Sequence, residues 1–312
     1  MSTAATERIL GPASAARGIV SRARSSARRR NLWVGILLTI ALGAIFSISV
    51  SVGDFSIPML NVVPAMLGLG DEGSVFVVRE LRLPRALAGL LVGLAFGLSG
   101  AIFQSVARNP LASPDILGIM AGASAAAVLA ITLGGSFVVV ALASLVGALA
   151  LSIAIYVLAY RKGVSSYRFV LVGIGLSSMA VALTSYLITR ADIYEAAEAN
   201  VWMTGSLNAV GWETIVPLTL ILGLLAPLAL ALGSRLRGLQ LNDDIARGLG
   251  IGVERARLLS LGVGVVLAGV ATAAAGPIAF VAFLAPPIAR RLTRTPNTLV
   301  SSALSGAMIV HR

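Results

Sequence analysis

The sequence predicts an all-α, polytopic membrane protein, and three observations predict it. Hydrophobic residues fill 57% of the 312 positions and charged residues only 12%, about half the charge of a soluble domain. The mean hydropathy is +0.94. Uncharged runs of about twenty residues recur, the length at which a helix crosses a hydrocarbon core of about 30 Å. Such runs are too long and too evenly apolar for the alternating strands of a barrel. Proline, glycine and arginine punctuate them, so helix must follow helix through short polar breaks.

Residues 1–31 hold seven arginines against one acidic residue, Glu7, with many Ala and Ser and no apolar periodicity. A disordered, basic, cytoplasmic tail is expected, followed by one transmembrane domain over 32–312. Leu32–Val52 is the first span. A cleaved signal peptide is disfavoured, because the apolar core is about twenty residues long and no A-x-A site follows. In 53–81 the short apolar run Ile57–Leu69 carries Pro58 and Pro64 and is expected to lie at the outer surface.

The second span, Ala86–Ala107, has 22 uncharged residues and ends at Arg108-Asn109-Pro110-Leu111-Ala112-Ser113-Pro114. Two prolines there remove backbone donors, so the helix must stop. A third span follows Asp115 and runs to Leu133, and Gly134-Gly135-Ser136 turns into a fourth that ends near Tyr160. The fifth is Phe169–Thr189. The loop 190–213 carries Asp192, Glu195, Glu198 and Glu213, with Trp202–Asn208 expected as a short interfacial helix. For Trp202 and Trp212, headgroup anchoring is the simple reading. The sixth span, Ile215–Leu232, contains Pro217 and Pro227, and the seventh, Leu258–Ala275, is rich in the Gly and Ala that let helices pack closely. An eighth, Ile278–Ala289, is expected to be broken by Pro286-Pro287. A ninth begins near Leu299, and 12 residues later the sequence reaches His311.

Loop charges orient these spans. With the N-terminus inside, Arg108, then Arg161/Lys162/Arg168, then Arg235/Arg237/Arg247/Arg255/Arg257, then Arg290/Arg291/Arg294 all fall inside, while 190–213 is acidic and outside. Arg79, Arg82 and Arg85 are the exception, three outer basic residues for which a partner is one explanation.

Composition also excludes functions. There is no cysteine and a single histidine, His311, so a bare transition metal finds almost no soft ligands and no metal site or cofactor is expected. The one lysine, Lys162, is not in a phosphate loop, and no catalytic residue is identified. The net charge of +11 comes largely from the tail beside the first span, which points to membrane lipid and topology, not to nucleic acid. The spans lack ionisable side chains except at their ends, whereas proton- or sodium-coupled transporters carry them within the membrane.

Two stretches carry candidate function. Asn242 is a good N-cap, Asp243 and Asp244 suit the positive end of a helix, and Gly250 suits its far end. The result is a short amphipathic helix with Arg247, Gly248 and Leu249. An Asp243–Arg247 pair is expected, and Ile245 and Leu249 form an exposed knob for another subunit or a plain connector. The break Asn109-Pro110-Leu111 suits a gate, since irregular backbone at membrane depth is buried or lines a cavity. Gln104, Ser99 and Ser105 are candidates to line the pathway.

The pieces RLPR, SGAIFQ, RNPLASPDILG and Gly122-Ala123, in that order within residues 82–123, resemble the FecCD family of iron–siderophore and vitamin B12 ABC importer permeases. Gly276-Pro277-Ile278-Ala279-Phe280 also fits, whereas Ala285-Pro286-Pro287 stands where a Pro-His pair is usual. The resemblance implies a ten-span design with an inverted repeat in the bacterial plasma membrane. About nine spans are visible, so the C-terminal part of that design is expected to be cut short. It further implies a separate ABC ATPase subunit coupled through Asn242, Asp243, Asp244, Arg247, Gly248 and Leu249. A periplasmic or lipoprotein siderophore-binding protein would dock on Arg82 and Arg85, and a second permease copy or paralogue would complete the assembly. Trp202–Asn208 and Val253-Glu254-Arg255 resemble the ferric-enterobactin type most, with haem or cobalamin as alternative cargo and a secondary transporter as the remaining class.

Overall fold

The computed structural model describes residues 3–52, 59–160, 166–208, 210–296 and 298–311. Among these the regular structure is helical. Helix α1 (Thr3–Ser51) leads to α2 (Met59–Met66) and α3 (Glu72–Phe76). A π-helical turn, Val77–Arg82, passes directly into α4 (Leu83–Ala107). Then follow α5 (Ile119–Thr132), α6 (Phe137–Ala159), α7 (Ser166–Arg190), α8 (Ile193–Thr204) and α9 (Trp212–Ala231). The last are α10 (Gly233–Leu239), α11 (Asp243–Gly248), α12 (Val253–Ala275), α13 (Val281–Thr293) and α14 (Leu299–Val310).

Each of the nine expected spans has its helix, but only six are long and apolar enough to cross by themselves among the described residues. Helices α5, α13 and α14 have 14, 13 and 12 residues; irregular backbone precedes α5 at 108–118 and α13 at 276–280. Over 3–31, where composition leads one to expect a disordered tail, α1 is continuous with the first span. Alanine and arginine are strong helix formers, and a formed span supplies the nucleus. Arg161 and Lys162 lie outside the described residues. The short helix of this loop sits earlier than expected, at Ile193–Thr204: Asp192 and Glu195 form a capping box at its start and Gly205 (φ 68°) stops it.

The centre is α4. Of its apolar window 78% is buried, and of the α12 window 72%, against 17% for α7. Small residues make this possible, because without a water-driven hydrophobic term helices associate in lipid through close packing. A methyl group at Gly97 would stand 2.9 Å from Ala303 Cα, one at Gly306 3.0 Å from Gly97 Cα, and one at Gly264 3.0 Å from the Phe103 ring. Ser99 Oγ donates to the Gly264 carbonyl at 2.6 Å. The α4–α14 crossing is therefore backbone against backbone, and at the α4–α12 crossing side chains of α4 pack on the Gly264 backbone.

Helix α13 runs through Pro286 and Pro287 unbroken, contrary to the sequence expectation. Each proline removes the N–H that would bond to the carbonyl four residues back, freeing Ala282 O and Phe283 O. Phe283 O finds a substitute donor on α4, and Ala282 O packs against the α4 backbone. Gly100 lies so close to the Ala282 carbonyl that a methyl there would be 2.7 Å from its carbon, and Gln104 Nε2 donates to Phe283 O at 3.1 Å. Neighbouring helices re-satisfy such groups in membrane helices.

Candidate functional site

Helix α4 ends at Arg108, whose φ of 52° puts it in the left-handed region. The Arg108 and Asn109 N–H groups both return to Gln104 O. Asn109 Oδ1 then accepts from Leu111 N–H at 2.9 Å, the side-chain turn that asparagine favours. Pro110 and Leu111 project from this turn, Leu111 being 60% exposed. The break is therefore an ordered turn with an apolar tip.

Arg108 does more than end the helix. Its Nε donates to Leu239 O, the last carbonyl of α10, at 2.6 Å, and its Nη2 is paired with Asp243 Oδ1 on the first turn of α11. Arg257, on the first turns of α12 with a side chain only 7% exposed, donates to both Asp243 oxygens at 3.3 Å and to Glu254 at 3.4 Å. A single carboxylate thus joins the break after α4, the short helix α11 and the start of α12. Burial pushes the Asp243 carboxyl up, but the Arg108 hydrogen bond and the Arg257 charge outweigh it and hold it below its ordinary 3.8.

The expected Asp243–Arg247 pair is not formed. Arg247 pairs with Asp244 at 3.1 Å in an exposed i,i+3 contact, which contributes little. Asp243 turns inward because two guanidiniums from neighbouring spans offer it better-shielded partners. Asn242 takes the extended N-cap conformation, and Gly250 (φ 77°) follows Leu249 at the far end. Leu241 before the helix, Ile245 within it and Leu249 at its C-cap are 43%, 55% and 65% exposed, apolar side chains beside Gly248 on an otherwise polar segment.

Three other candidates for the pathway are packed inside the chain. Ser99, Gln104 and Ser105 are buried against helices of this chain. Gln104 serves Phe283 O and accepts from Arg290 Nη2 at 2.5 Å, while Ser105 accepts from Gln240 at 3.1 Å. Sequence reasoning missed this, since the carbonyl that holds Gln104 is exposed only by a proline far along the chain.

At the opposite end, the two arginines expected on the outer side separate. Arg82 Nη1 donates to Val50 O at 3.1 Å and Ser51 O at 2.9 Å, which caps the end of α1. Arg85 and Arg79 are exposed, and Arg79 O accepts from Trp212 Nε1 at 3.0 Å. The free guanidinium surface there thus belongs to Arg79 and Arg85, with Arg82 turned inward. Among the described residues no group of three or more His, Cys, Asp or Glu gathers as a metal cage.

A helical, multi-pass architecture with a buried glycine-rich centre, a broken span and an exposed knob clasped to that break defines a membrane permease. The chain belongs to the FecCD transport family, whose sequence profile matches residues 37–311. It is 41% identical over 260 residues to the ferric enterobactin transport system permease protein FepG of Escherichia coli K12, covering 83% of this chain and 79% of that one. The achromobactin transport system permease protein CbrC of Dickeya dadantii is 40% identical over 285 residues, 89% and 80% of the two chains. A solved inward-facing ABC transporter of metal-chelate type superposes with a TM-score of 0.79 at 25% identity, over 90% of this chain and 88% of that one.

Proposed function

We infer that this chain is the permease subunit of an ABC importer that carries ferric siderophores across the bacterial plasma membrane. ATP is hydrolysed by a separate subunit and cargo arrives on a siderophore-binding protein. The cargo class follows the named relatives, FepG and CbrC among them, and no feature favours haem or cobalamin. The N-terminus and α11 face the cytoplasm in this reading, because the basic loops then lie inside.

The observation that carries the mechanism is the Arg108–Asp243–Arg257 cluster. The exposed Leu241, Ile245 and Leu249 side chains offer a docking knob for the ATPase. When the nucleotide state moves that knob, Asp243 transmits the displacement to Arg108 and so to the turn Asn109-Pro110-Leu111. That turn acts as the inner gate, together with its counterpart in a second copy or paralogue. Arg85 and Arg79 receive the binding protein. Charged contacts of this kind chiefly set orientation and association rate.

The test is uptake of radiolabelled ferric siderophore in bacteria lacking their own permease, supplied with this chain and its companion ATPase and binding protein. Uptake that disappears with Asp243→Lys plus Asp244→Lys supports both cargo and coupling. A chain that reaches the membrane yet restores no ferric-siderophore uptake overturns the assignment.

A further inference from the structure

A groove of about 940 Å³ runs between α1, α10 and the start of α14. Its two ends differ in chemistry. Arg28 and Arg29 of α1 line one end, Arg237 of α10 also lines the groove, and all three are exposed. Among the described residues the ion pairs engage Asp243, Asp244 and Glu254, none of them with these three arginines. Away from that end the wall is largely apolar: Leu32, Ile36 and Ile40 form one stripe on α1, and Leu299, Val300 and Leu304 of α14 also line it, with Thr39, Thr298 and Ser301 among them.

Length fits as well. Arg28 to Ile40 is twelve residues, about 18 Å of helix, which is one headgroup plus about half of a 30 Å hydrocarbon core. Two hydrogen bonds beside the groove hold α1 in place. Arg30 Nε donates to Leu292 O at 3.1 Å and Thr295 Oγ1 to Asn31 at 3.3 Å, fixing α1 against the chain near α13.

We propose that this groove holds one anionic phospholipid of the cytoplasmic leaflet, with its phosphate among Arg28, Arg29 and Arg237 and an acyl chain along Leu32, Ile36 and Ile40. Basic pockets between spans on the cytoplasmic side select such headgroups. A zwitterionic lipid brings a cation into the same triad and is disfavoured. The leaflet assignment rests on the orientation under Proposed function; the lipid chemistry does not.

The protein has no cysteine, so Ile36→Cys carries a single fluorophore in the groove and Leu37→Cys, outside the groove lining and 61% exposed, serves as control. The chain is placed in phosphatidylcholine nanodiscs, and phosphatidylglycerol or phosphatidylcholine brominated on its acyl chains is titrated in. At position 36 brominated phosphatidylglycerol is expected to quench at a mole fraction about tenfold or more lower than brominated phosphatidylcholine, three arginines each contributing several-fold. At position 37 the two lipids are expected to quench alike. The preference is expected to vanish in Arg28→Ala/Arg29→Ala/Arg237→Ala and to persist in the matching triple lysine variant. Equal quenching by both lipids at position 36, or a preference that survives the alanine changes, overturns the proposal. If the alanine variant fails to fold, the comparison of positions 36 and 37 in the otherwise unaltered chain decides. The discs read no transport, so failure here leaves the uptake result standing, and failed uptake leaves this one standing.

Discussion

Asp243→Asn is the most informative single change. It removes the charge shared by Arg108 and Arg257 while leaving the shape of the side chain. Arg257 keeps Glu254 at 3.4 Å and Arg108 keeps Leu239 O at 2.6 Å, so neither guanidinium is stranded. A hydrogen bond to a charged group contributes about 1.5–3 kcal/mol. The Asp243 and Arg108 side chains are 30% and 33% exposed, so screening reduces the link between them to about 1–2 kcal/mol. That corresponds to a roughly 5- to 30-fold fall in the docked population of α11. The assay is a double-mutant cycle of Asp243→Asn, Arg108→Gln and the pair. Stability is read by SDS-titrated unfolding in mixed micelles and transport by siderophore uptake. A coupling of about 1 kcal/mol or more is expected, with uptake of either single variant falling severalfold and the pair little worse than the worse single. Additivity within about 0.5 kcal/mol, with undiminished uptake, refutes the mechanical link.

Other outcomes follow from the same geometry. Because the Asp243 carboxyl sits below its ordinary 3.8, its contribution is complete above about that pH and is lost as the pH falls further; stability of the Asp243→Asn variant relative to the parent should be flat from about pH 5 to 8 and converge in acid. Gly97→Ala should cost about 1–3 kcal/mol and lower the folded yield in membranes, whereas Gly223→Ala, with nothing within 4 Å of the added methyl, should not. Gln104→Leu leaves Phe283 O and the Arg290 guanidinium without their partner, a loss of about 1–3 kcal/mol in the same unfolding assay. Arg82→Ala should lower stability by uncapping α1, while Arg85→Ala should leave stability unchanged and weaken binding-protein association in a salt-dependent way.

The spans, their order and the knob were legible in the sequence because each depends on local signals. An uncharged run of span length, a proline pair at a break, or Asn-Asp-Asp opening a helix acts within about one turn of itself. The knob's exposed Ile245 and Leu249 follow from the same short-range pattern. Roles that involve a distant partner were not legible. Arg82 reads as a free outer charge until the end of α1 is seen beneath it, Gln104 as a pathway residue until the carbonyl freed by Pro287 is seen beside it, and Asp243 as a partner for Arg247 until Arg108 and Arg257 converge on it.

Composition and periodicity by themselves determined that this protein lies in a membrane as packed helices, since the bilayer demands internally bonded backbone over a set length. Tertiary structure decided which polar side chains face one another. In a low-dielectric interior each buried donor, acceptor or charge takes whatever partner the folded chain brings within about 3 Å. That partner is 131 residues away for Arg108 and Leu239, and 179 for Gln104 and Phe283.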